Sequence, residues 1–145
     1  MVRIVMALGI LGLVAACDSG PEQPYFEFLG GGFIYNYRIG EMHYGFVVRA
    51  RRTVPEGTIL EARFENPAGG PRLVTRDVHQ GRRLEYTFRS PSVRGVVKGR
   101  PYTAELVLID AKSRRVIARY ARTFKSSIDQ TGLPRSATPK RAPAR

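Results

Sequence analysis

The chain has 145 residues, 24 of them basic and 12 acidic, for a formal net charge of +12 at pH 7. One cysteine, two histidines and no tryptophan exclude an intramolecular disulfide and a cysteine-rich metal site. The basic excess favours anionic partners, although 20 arginines against 4 lysines is also a bias that genomic base composition produces.

Residues 1–16 begin with Arg3, continue through an apolar run from Ile4 to Val14, and end on Ala15 and Ala16. That order is the pattern of a cleaved secretory signal. A membrane-spanning helix needs about 20 apolar residues, and Asp18, Ser19 and Gly20 cut this run short. Its ending, Val14-Ala15-Ala16-Cys17, resembles the lipobox of bacterial lipoproteins. The resemblance implies that Cys17 carries a diacylglycerol on sulfur, that cleavage falls before it, and that its new amine is acylated. Two or more acyl chains make a lasting anchor where one does not. Residues 17–24, with two prolines and no apolar period, read as a short spacer between the lipid and the fold.

Residues 25–124 carry seven apolar segments divided by turn residues, as in a β-sandwich or a small barrel. The strands are expected near 33–39, 43–50, 58–65, 72–78, 83–89, 102–109 and 116–124. Apolar side chains alternate at Leu60, Ala62 and Phe64, at Leu84, Tyr86 and Phe88, and at Tyr102, Ala104, Leu106 and Leu108, the period that sends every second side chain to one face. Turn chemistry falls between them at Pro55-Glu56-Gly57, Asn66 to Pro71, Gln80-Gly81 and Lys98 to Pro101. Gly30-Gly31-Gly32 leads into a strand-like run rather than a helix, so it reads as a flexible turn and not a phosphate loop. The aromatic group Tyr25, Phe26, Phe28, Phe33, Tyr35 and Tyr37 is read as core in preference to an exposed stacking platform. Residues 125–145, rich in proline and basic side chains, read as a disordered tail.

Seven strands in this length, with Gly99 to Leu106 looking like the start of a sixth strand whose tyrosine bonds back to the preceding corner, resemble an immunoglobulin-like or fibronectin-III-like sandwich. The expected class is therefore all-β, a seven-stranded immunoglobulin-like β-sandwich, with a small β-barrel as the alternative. Neither a tryptophan nor a cysteine pair marks an antibody domain.

No catalytic set assembles. There is no G-x-S-x-G elbow, and Asp77 and His79 lack a neighbouring nucleophile in the sequence. Two histidines and scattered carboxylates provide no metal spacing, so neither metal nor cofactor is expected. Glu61, Arg63 and Glu65 read as a solvated outer strand face with weak pairing.

The one constellation is three adjacent pairs, Arg51-Arg52, Arg82-Arg83 and Arg114-Arg115. A sandwich gathers their loops at one pole, where Lys112 joins them and where the first strand begins. Guanidinium forks suit phosphate and carboxylate oxygens. The expected function is a lipid-anchored, non-enzymatic periplasmic binding or scaffold module of the cell envelope, docking this pole on anionic headgroups or holding an envelope protein. The alternatives are a module that binds peptidoglycan or lipopolysaccharide and, third, an enzyme of unassigned class. No nucleic-acid partner is expected. Asp18 resembles the enteric signal for inner-membrane retention, with the outer membrane as the other choice.

Overall fold

A computed structural model describes residues 23–133; Cys17, the leader and residues 134–145 lie outside the described residues. Seven strands follow in order: β1 (Phe26–Asn36), β2 (Glu41–Ala50), β3 (Ile59–Phe64), β4 (Leu73–Val78), β5 (Glu85–Arg89), β6 (Pro101–Ile109) and β7 (Val116–Lys125). They form two antiparallel sheets, β1-β2-β5 and β4-β3-β6-β7. Neither β1 and β7 nor β4 and β5 are paired, so the molecule is an open seven-stranded β-sandwich and not a closed barrel. The fourth strand bonds to β3 rather than to β5, unlike the constant-type immunoglobulin order, which keeps it in the other sheet.

Alternation builds the core. Met42, Tyr44, Phe46 and Val48 of β2 face Leu60, Ala62 and Phe64 of β3 and Tyr102, Ala104, Leu106 and Leu108 of β6, all buried. The Phe46 ring meets those of Phe28, Phe64 and Phe88 at centroid distances of 4.9, 5.7 and 5.5 Å. Such aromatic contacts supply the area a core lacking tryptophan needs. The Tyr102 hydroxyl accepts from Val97 N at 2.8 Å, which pins the corner before β6 as the sequence suggests.

Three boundaries differ from the sequence reading. The glycine run is not a turn: Gly30, Gly31 and Gly32 pair with Val47, Phe46 and Gly45 inside β1, after a register shift between Phe28 and Gly30. Gly31 faces inward, and a Cβ there would stand 2.6 Å from the Phe124 ring and 2.4 Å from the Gly45 carbonyl. Glycine makes room for the other sheet. Leu84 precedes β5 and is 63% exposed, because the strand begins one residue later. Finally, residues 126–133 belong to the domain rather than to a disordered tail. Gln130 N donates to Val96 O, its Oε1 accepts from Val96 N and its Nε2 donates to Val93 O, clasping the loop between β5 and β6.

Candidate anion-binding pole

The pairing registers place the loops. Phe26 lies opposite Ala50, Arg49 opposite Glu85, Ile59 opposite both Val78 and Ile109, and Ile109 opposite Val116. Gly57 N donates to His79 O at 3.0 Å, continuing the β3–β4 ladder, and across the two sheets Arg83 pairs with Asp77 at 2.8 Å. The start of β1 and all three arginine pairs therefore share one pole.

The seven basic residues are not equivalent. Arg51 reaches Glu27 at 3.3 Å. Arg52 lies over the Tyr25 ring at 3.9 Å and donates to Gln23 O at 3.2 Å. Arg83 covers the Tyr86 ring at 4.3 Å while holding Asp77 and donating from Nε to Glu85 O. These three lie flat on neighbours. Arg82, Lys112, Arg114 and Arg115 are exposed, and the guanidiniums of Arg82, Arg114 and Arg115 form no ion pair among the described residues.

Two acids that share these loops are spent on main chain. Asp110 accepts from Ser113 N at 2.6 Å, Ser113 Oγ at 2.7 Å and Lys112 N at 3.1 Å, and the Ser113 hydrogen bonds hold its carboxyl below the usual range. Its carbonyl accepts from Arg114 N, fixing Arg114 at φ 59°, a left-handed backbone that costs a non-glycine residue about 1 kcal/mol. Asp110 thus shapes the turn that displays Lys112, Arg114 and Arg115. Glu56 accepts from Gly81 N at 3.2 Å, linking the loop after β2 to the one carrying Arg82.

Beneath the pole, Asp77 and His79 go separate ways. His79 is buried, and its Nδ1 meets the Tyr86 hydroxyl at 2.8 Å, whereas Asp77 serves Arg83. Burial pushes the Tyr86 hydroxyl pKa up, which keeps it a neutral hydrogen-bonding group. No group of three or more metal-ligating side chains occurs among the described residues.

The outer face of the four-stranded sheet departs from the expectation of weak, solvated pairing. Glu61 is only 5% exposed and takes Arg63 Nε and Arg76 Nε, each at 2.6 Å. Burial pushes its carboxyl pKa up, but the two arginine hydrogen bonds outweigh burial and leave it below its ordinary value. Two further arginines, Arg119 and Arg122, which sequence reasoning passed over, line a slot between β1 and β7. The signal was hidden because the expected first strand started after the glycines.

The fold and this pole define a small β-sandwich module that presents guanidiniums where its chain leads in. No protein family, curated protein or solved structure matches the chain.

Proposed function

We propose that the protein is a lipid-anchored, non-catalytic binding or scaffold module of a bacterial envelope, facing the periplasm, whose arginine pole rests on anionic headgroups. The observation that carries this reading is the shared pole: the strand following the Cys17 spacer starts at the end of the sandwich that carries Arg82, Arg114 and Arg115. An anchor there brings unpaired guanidiniums to the lipid surface, where their attraction to anionic headgroups orients a domain that the acyl chains already hold. A polyanion such as peptidoglycan or lipopolysaccharide is the second reading, favoured by the same unpaired forks.

The test is cosedimentation of residues 17–145, with Cys17 replaced by serine, on anionic and neutral liposomes at low and high salt. Each basic side chain near an anionic surface contributes about 1 kcal/mol. Reversing Arg82, Arg114 and Arg115 to glutamate is therefore expected to weaken binding about a hundredfold or more at low salt, and salt is expected to weaken the parent. Equal, negligible binding by both proteins discards the membrane-facing pole. Tight binding to soluble lipopolysaccharide or peptidoglycan with none to anionic liposomes transfers the site to the second reading.

A further inference from the structure

β1 and β7 are sheet edges on the same flank and are not bonded to each other. Away from the arginine pole they close together, where Phe124 fills the space beside Gly31. Toward the pole lies a slot of about 380 Å³ lined by Phe26, Glu27 and Phe28 on one side and by Arg119, Tyr120 and Arg122 on the other. At its end nearest the pole, Tyr25 N donates to the Tyr120 hydroxyl at 2.9 Å, so the slot opens sideways to solvent between that tie and Arg122.

Main-chain geometry supplies the slot's chemistry. Arg51 N donates to Tyr25 O, and Ala50 N, opposite Phe26, turns away to Leu84 O. In an antiparallel ladder these orientations alternate, so Phe26 and Phe28 direct their N–H and C=O groups into the slot rather than to β2. An open row of this kind is a template for another strand. The charge is one-sided. Glu27 is neutralised by Arg51, while Arg122 lies over the Phe28 ring at 5.3 Å, and neither Arg122 nor Arg119 forms an ion pair among the described residues.

We infer that the slot takes an extended, acidic segment of a partner protein, added as a strand along residues 26–28 of β1 with its carboxylates against Arg119 and Arg122. Main-chain hydrogen bonds give such additions affinity, and side chains give selectivity. At about 3.3 Å per residue, the slot holds three to four residues of the incoming strand. This inference does not depend on membrane docking.

The experiment measures fluorescence anisotropy of a labelled eight-residue peptide, alternating Glu and Val, titrated with the full chain in maltoside micelles. A second peptide of identical charge is N-methylated at every amide and has no N–H donor on either edge with which to pair as a strand. Losing about two main-chain hydrogen bonds is expected to weaken binding about tenfold. The same loss or more is expected for Arg119→Glu with Arg122→Glu, and for the milder Arg119→Gln with Arg122→Gln, each checked for an unchanged melting curve. Arg114→Glu with Arg115→Glu is expected to change binding by less than about threefold. The inference is overturned if both peptides bind equally, since charge alone then suffices, or if the pole variant loses as much as the slot variant. Absence of binding at millimolar peptide also overturns it, and displacement by short-chain phosphatidylglycerol together with equal peptide binding assigns the slot to a phosphate headgroup.

Discussion

Replacing Gly31 with alanine tests whether the glycine run exists to let the two sheets meet. The added Cβ would lie 2.6 and 2.8 Å from Cε1 and Cζ of Phe124 and 2.4 Å from the Gly45 carbonyl oxygen. Carbon atoms prefer about 3.5–4.0 Å, so the ring must retreat by about 1 Å, and the carbonyl, held in β2, has little freedom to follow. Overpacking of this size costs about 1–3 kcal/mol, against which the loss of glycine's unfolded-state freedom returns at most about 1 kcal/mol. The expected net loss is about 1–2 kcal/mol, or a fall in Tm of about 4–8 °C for a domain of this length. Gly30 is the internal control, because nothing lies within 4 Å of a Cβ there and alanine is expected to be neutral or stabilising by about 0.5 kcal/mol. Urea unfolding followed by circular dichroism reads both. Adding Phe124→Leu to Gly31→Ala is expected to cost less than the two single changes together, by about 0.5–1 kcal/mol. The reasoning is refuted if Gly31→Ala matches Gly30→Ala, or if the double variant is strictly additive.

The Thr75 hydroxyl is buried without a hydrogen-bond partner among the described residues, so Thr75→Val, of nearly the same shape, is expected to raise stability by about 1 kcal/mol in urea titration; a loss would show that the hydroxyl is satisfied. Tyr102→Phe deprives Val97 N–H of its acceptor and is expected to cost about 1–2 kcal/mol, with an unchanged melting curve counting against the corner. Glu61 has a folded pKa below the ordinary 4.5, so its contribution is complete above that value and fades as pH falls through the folded one. Glu61→Gln is therefore expected to be less stable than the parent by about 1–3 kcal/mol at pH 7, with the gap closing as pH falls from 4.5; a gap independent of pH would mean that the carboxylate charge is not what Arg63 and Arg76 hold.

Period-two alternation was legible where both faces of a strand follow the rule, as at Tyr102, Ala104, Leu106 and Leu108. Leu84 obeyed the same period and still faces solvent, because alternation assigns a side but not the point where pairing stops. The glycines of β1 were unreadable for a physical reason: their role is the absence of a side chain opposite Phe124, some 90 residues away, and nothing local marks it. Residues 126–133 escaped for a related reason, since Gln130 is held by main-chain groups of Val93 and Val96 rather than by an apolar stripe. Adjacency made the arginine pairs visible and strand order gathered them. What divides them is tertiary: Glu27, Tyr25 and Asp77 engage Arg51, Arg52 and Arg83, whereas Arg82, Arg114 and Arg115 find no such neighbour among the described residues.

The Gln130 clasp also bears on how the domain is born. A polypeptide is delivered amino end first, and the loop between β5 and β6 emerges some thirty residues before the side chain that fastens it. Until that glutamine arrives, Val96 N–H and Val93 C=O have no side-chain partner, and the far end of the sandwich stays unlatched even after every strand has been made. Completion of the fold thereby waits on the synthesis of residue 130, and a chain cut short after β7 would have all its strands without its latch.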